Sequence, residues 1–241
     1  KKTEEGFTLI SEECEYSCTA DDNYVTDSNG FEGRHSETTF GTFSEMTIED
    51  PQGNKYSGYW WQTCSKADET DYGIGDKALQ RAISQIGPKN RRSGIYRMIV
   101  DSTVSSRLIS PIFTALNASS IQQKMSFLED SLGKQLFPEG MTLMDLARTP
   151  GKNGSRLFDT EGTATKDAPI IDNGIVRQYF VNTYNSEKMG IPATIEDISR
   201  PCLMPFIKGI NLQEGEKEVS LEDILRLARN GIYVTGFNGG N

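Results

Sequence analysis

The chain has 241 residues, of which 36% are hydrophobic and 24% charged. That is enough apolar material for one large or two modest domains and excludes wholesale disorder. Lys and Arg number 25 against 34 Asp and Glu, a net charge of −9, which repels a phosphate backbone and excludes a broad nucleic-acid surface.

No apolar run approaches the roughly 20 residues a membrane helix needs, and the charged start Lys1–Glu5 leads into no secretory apolar stretch. The first 62 residues read as β from Phe7 onward. Cys14 and Cys18 fall four apart in this region. Their spacing could suit a metal, but no second pair accompanies them, and they read as plain buried or half-buried thiols. With Cys64 and Cys202 they make four cysteines, few enough to fit a reducing compartment. Ser28-Asn29-Gly30 is a tight hairpin signal and Pro51–Asn54 a turn, so Glu37–Ile48 and Tyr56–Trp61 are expected to pair in an antiparallel meander. Tyr59-Trp60-Trp61 could stack a ligand, or serve as core or subunit interface.

Asp76 is expected to cap a helix with Leu79, Ala82, Ile83 and Ile86 on one face, stopping at Gly87-Pro88. Lys89–Ser93 is a polar connector and the candidate domain boundary. Tyr96–Asp101 reads as a short strand. A helix follows with Leu108, Ile109, Ile112, Phe113 and Leu116 on one face. Pro111 within it should either kink the helix or mark a fresh start capped by Ser110. Ile121–Leu132 is expected to be helical, with Met125, Leu128 and Leu132 in the core. Asn173-Gly174 between two apolar runs predicts a two-residue hairpin over Ala168–Val181. Asn185–Met189 is a helical turn closed by Gly190. Ser220–Asp223 opens the last helix with a capping box, with Leu221, Ile224, Leu225 and Ala228 buried and Gly231 as its end. Ile232–Phe237 is a final strand. The fold class is therefore α+β: an antiparallel β meander domain, then a mixed C-terminal domain of β-sheet or barrel type with packed helices.

One histidine, His35, stands in the whole sequence, so no His-Glu-x-x-His helix can form from it and no histidine pair can hold a metal. Phosphate-binding and dinucleotide glycine loops are also missing. The polar segment Gly154–Thr165 stands out. Its Asp159 and Glu161 could hold a cation or a substrate amine beside Arg156, and Gly162 would allow close backbone approach. The other reading is a turn whose side chains satisfy local backbone groups.

Phe158-Asp-Thr-Glu-Gly162, Ile170–Val176 with Tyr179 and Tyr184, Ser220–Ile224 and Gly231–Thr235 run in the order seen in the TldD/PmbA family. Ser28–Gly33, Gly58–Trp61 and Phe127–Gly133 with Phe137-Pro138 resemble its PmbA, or TldE, branch. The resemblance implies a cytoplasmic zinc metallopeptidase assembly that cuts unfolded peptides in a cavity closed by two subunits. Relatives are also labelled modulators of DNA gyrase, an effect the acidic charge here would make indirect. In the TldD branch a zinc motif lies on the helix after the strand matching Tyr96–Asp101. Ser110, Pro111 and Ala115 fall near the ligand and base positions. The resemblance thus implies no catalytic residue and no metal ligand in this chain, with zinc in a TldD-type partner. The candidate substrate-binding residues and the expected association are Arg156, Asp159, Glu161 and Gly162, and association with that partner or with itself. A stand-alone scaffold of the same fold, or a hydrolase using Asp159 and Glu161 with a metal, are the alternatives. Residues 1–90 are expected to be the rest of an N-terminal or middle β domain and 93–241 a C-terminal domain. The start without Met and the loop at Phe237–Asn241 suggest a piece of a longer protein.

Overall fold

In Glu32–Glu49 the residues Thr42, Ser44, Met46 and Ile48 are buried and the ones between are not, the two-residue period of a strand with one covered face. The computed structural model describes residues 3–4, 6–87, 91–204 and 220–237. Clustering of contacts divides the chain into Lys1–Asp22, Ser36–Ile95 and Gly151–Asn153 as one unit, and Asn23–His35, Tyr96–Pro150 and Gly154–Asn241 as another.

The first unit is built on a sheet of order β1-β2-β3-β4, from Thr3–Glu4, Phe7–Thr26, Glu32–Glu49 and Lys55–Cys64. β3 and β4 pair antiparallel from Phe40↔Cys64 to Glu49↔Lys55. Their turn is held by Asp50, whose carboxylate accepts N–H groups of Gln52 and Asn54 at 2.9 and 2.8 Å. The Asn54 side chain, chiefly, holds that carboxyl below its ordinary pKa. Helix α1 (Ile74–Ile83) covers β4. It comes so close at Gly58 that a Cβ there would stand 2.3 Å from the Ala82 nitrogen. Phe7, Ile48 and Ala82 form the core, with Leu9, Tyr56 and Leu79 against it.

Several expectations are corrected here. The cap of α1 is Gly73, not Asp76, which sits in the first turn; Asp71 fixes that start by accepting the Gly73 N–H. The helix ends at Ile83 rather than Gly87-Pro88, because Gln85 and Ile86 donate three residues back, to Ala82 and Ile83, and tighten the last turn. Pro88, Lys89 and Asn90 lie outside the described residues. Cys14 and Cys18 are exposed thiols on β2, since α1 packs on β4 and β1 pairs only with Phe7 and Thr8. Trp60 lies beneath two cations, Arg81 at 4.4 Å and Lys77 at 5.2 Å from its ring centre. Trp61 is partly exposed.

In the second unit an antiparallel sheet of order β8-β7-β6-β9 uses Ile175–Val176, Ala168–Asp172, Leu143–Asp145 and Pro201–Leu203. A separate parallel pair joins β5 (Met98–Val100) to β10 (Ile232–Val234), which makes the domain mixed. Asn173 and Gly174 turn the β7–β8 hairpin with φ of 49° and 82°, as the two-residue loop requires. Helices α2 (Ser102–Leu116), α3 (Ala118–Gln122) and α4 (Thr183–Met189) follow from three side-chain caps. Asp101, Asn117 and Asn182 accept from Thr103, Ser119 and Asn185 N–H groups respectively. Gly190 ends α4 in the left-handed region. The core gathers Leu116, Ile121, Leu143, Ile171, Val176 and Phe180.

Pro111 lies inside one continuous α2, so Ser110 starts no new helix. Leu108 is exposed. Helix α3 is one short piece rather than Ile121–Leu132, because Lys124 and Asp130 take φ of 55° and break the helical path. Leu128 stays buried, whereas Met125 and Leu132 are exposed. Ser220 does open α5 (Leu221–Ala228) with a full capping box to Asp223. Leu221 is exposed rather than buried, and the helix leaves through Arg229, at φ of 51°, before Gly231. The last strand stops at Val234, and residues 238–241 lie outside the described residues.

Candidate functional site

Within the second unit the segment Gly154–Thr165 is a loop tied down at both ends. The Arg156 N–H donates to the Ala147 carbonyl at 3.0 Å and the Thr165 N–H to the Leu157 carbonyl at 3.1 Å. The Arg156 guanidinium donates to Ser199 Oγ at 2.7 Å and to the Asp197 carbonyl at 2.6 Å. It therefore fastens the loop to residues 197–199. Beside it Arg148 donates to the carbonyls of Thr165 and Leu157, so the backbone acceptors of this irregular stretch are satisfied.

Asp159 is only 2% exposed. Its Oδ1 accepts the N–H groups of Glu161 and Thr163 at 3.0 and 2.8 Å, and its Oδ2 that of Glu196 at 3.0 Å. To bind a cation this carboxylate would first have to release backbone donors. Glu161 is exposed and turns outward. One of its oxygens accepts the Thr183 N–H and hydroxyl at 2.8 and 2.9 Å, at the first turn of α4, where a negative charge suits the helix dipole. Gly162 has φ of +79°, and a Cβ there would stand 2.6 Å from the Phe31 ring. Phe31 in turn meets Phe158 edge-on at 5.2 Å. The structure thus brings all four predicted residues to one loop. It aims Glu161 outward and turns Asp159 and Arg156 inward.

A second concavity was not legible in the sequence. A groove of about 590 Å³ is lined along α2 by Arg107, Ser110, Pro111 and Ala115, and opposite by Met125 and Phe127. Met125 and Phe127 are 76% and 71% exposed. Pro111 carries no N–H, so the Arg107 carbonyl lacks the donor that an ordinary helix supplies four residues on. The only sequence signal was this proline itself. His35 is on β3, and its Nε2 is enclosed with no hydrogen-bond partner among the described residues.

Two family models match the chain. That of the PmbA/TldA metallopeptidase C-terminal domain covers residues 93–241 and that of the central domain residues 6–86. A metalloprotease PmbA homologue of Haemophilus influenzae is 30% identical over 121 residues, 50% of this chain and 27% of that protein. Another, from Buchnera aphidicola of Acyrthosiphon pisum, is 27% identical over 85% of this chain and 48% of its own length. Among solved structures, a Bacteroides thetaiotaomicron protein described as a modulator of DNA gyrase superposes with a TM-score of 0.86 at 37% identity, over 97% of this chain and 51% of that one. TldE from Thermococcus kodakarensis shares the fold, with a TM-score of 0.77 at 18% identity over 94% and 52%. The chain spans about half the length of these structures, and half or less of the curated relatives.

Proposed function

The chain belongs to the PmbA/TldD metallopeptidase family, and from that premise we propose that it is a PmbA/TldE-type subunit of a two-chain zinc metallopeptidase acting on unfolded peptides. In this reading the chain is itself non-catalytic and lends cavity wall and substrate contacts to a TldD-type partner. The observation that carries it is the chemistry of α2. Ser110, Pro111 and Ala115 offer a hydroxyl, a ring-locked imide nitrogen and a methyl where the resemblance puts imidazoles and a carboxylate. No thiolate, imidazole or carboxylate stands among them, so this donor set does not fit zinc and cannot activate its water. The sequence's single histidine is on β3 instead. Among the described residues, no group of three His, Cys, Asp or Glu side chains is arranged to hold a metal.

Arg156, Asp159, Glu161 and Gly162 enter the same proposal as the substrate-contacting loop. Glu161 supplies the outward carboxylate, Gly162 the close approach, and Asp159 with Arg156 the rigidity. A cytoplasmic location and the absence of a direct nucleic-acid role belong to the proposal too. The charge of −9 supports the latter. The domain division at 1–90 and 93–241 is supported by the separate matches of the two family models. No helix among the described residues is long and apolar enough to cross a membrane.

The test is to mix the purified chain with a cognate TldD-type chain and follow cleavage of an unfolded peptide. The mixture should cut much faster than either chain alone, and this chain alone should cut nothing. Equal cleavage by the partner alone, or stoichiometric zinc with unaided hydrolysis by this chain, would sink the reading.

A further inference from the structure

We propose that the groove beside Pro111 is a site for the C-terminal residue of a peptide, taking its carboxylate at Arg107 and its apolar side chain between Pro111, Met125 and Phe127. This rests on the peptide-binding role argued above and names the part of the peptide that the site recognises. Of the residues that line the groove, Arg107 is the only charged one. Among the described residues its guanidinium makes no ion pair or hydrogen bond. A positive group without a partner, in a chain of net charge −9, selects an anion, and the guanidinium fork fits a carboxylate at two points.

The other features of the groove agree with a peptide end. The carbonyl left open by Pro111 accepts from an N–H, which the last peptide bond supplies. Ser106 and Ser110 add hydroxyls along the same wall. Pro111, Ala115, Met125 and Phe127 give an apolar wall, and the thioether and ring are both solvent-exposed in the chain as it stands. A thioether opposite an aromatic ring adapts to side chains of several shapes. The volume of about 590 Å³ is in the range of small-ligand sites. It has room for a terminal residue and its neighbour but not for a folded domain.

The measurement is isothermal titration of the purified chain with the tetrapeptide Ala-Ala-Gly-Phe, as free acid and as C-terminal amide. The free acid should bind at least about tenfold more tightly. Arg107→Gln should abolish that preference, leaving acid and amide equal. Phe127→Ala should weaken both forms alike. Arg107 is exposed, so its replacement leaves the fold intact, which circular dichroism checks. Arg226→Gln, on exposed α5, should change nothing. No binding of the acid, equal binding of the amide, or an Arg107→Gln protein that still prefers the acid overturns the proposal. The partner-mixing assay reads the subunit role separately. Cleavage by the mixed pair without carboxylate preference removes the groove and keeps the subunit role, whereas carboxylate preference without any effect on a partner does the reverse.

Discussion

Both oxygens of Asp159 are engaged by backbone N–H groups from Glu161, Thr163 and Glu196, while Glu161 spends one oxygen on Thr183 and faces solvent. The two carboxylates therefore answer differently to loss of charge. In Asp159→Asn one acceptor becomes an NH₂ donor facing a backbone donor, so one bond at least is lost in a buried place. The expected cost is about 1–3 kcal/mol, a fall in Tm of roughly 2–4 °C per kcal/mol for a chain of this size. Glu161→Gln keeps an acceptor oxygen for Thr183 and should shift stability by less than about 0.5 kcal/mol, yet lower peptide cleavage by the mixed pair. Thermal unfolding of both variants decides. A stable Asp159→Asn protein would mean that this carboxylate is free for a ligand after all. The polar loop was legible in sequence as a cluster. Which oxygen turns inward was not, because the deciding partners, Glu196, Thr183 and Phe31, lie far along the chain. Asp145 was missed for the same reason. It is fully buried and accepts the N–H groups of Ser199 and Arg200 at 3.0 and 2.7 Å, a role that no local pattern announces.

Elements that close on themselves were read from sequence alone. The Asn173-Gly174 hairpin and the Ser220 capping box need only neighbours within a few residues. The end of α3 was misread because its apolar spacing continues to Leu132 while Lys124 and Asp130 leave the helical region, a choice made by tertiary packing and not by propensity. The capping box also has a pH signature. The Ser220 hydroxyl and N–H, which bond the Asp223 carboxylate, hold its pKa below the ordinary 3.8, with Arg226 helping. The folded state thus favours the charged form. Its contribution is present above 3.8 and is lost as pH falls below that value through the depressed folded pKa. Hydrogen exchange of Leu221–Ala228 should accordingly show protection that declines on acidification through this window. Ser220→Ala should remove about 1 kcal/mol of local stability at neutral pH and flatten the decline. Unchanged exchange in the variant would show that the cap does not limit fraying of α5.

At the scale of the whole molecule the α+β class followed from the change of period, two over residues 32–49 and near 3.6 over α2. The parallel β5–β10 pair could not be read so, since it joins segments more than 130 positions apart. Each unit has its own apolar cluster: Phe7, Ile48 and Ala82 in one, Leu116, Ile171 and Phe180 in the other. Separate cores imply separate local stabilities. Gly58→Ala isolates the first, because the added methyl would fall 2.3 Å from the Ala82 nitrogen and 2.4 Å from the Ala78 carbonyl. Backbone cannot yield as a side-chain end can, so α1 must lift from β4 at a cost of about 1–3 kcal/mol. Amide exchange in Ile74–Ile83 and Lys55–Cys64 should then quicken by one to two orders of magnitude, at roughly tenfold per 1.4 kcal/mol. Exchange in Ala168–Asp172, whose Ile170 and Ile171 are fully buried, should stay as in the parent chain. If those strands lose protection to the same degree, the two clusters unfold together, and a substitution in the β meander would reach the α2 groove and the Asp159 loop through global unfolding.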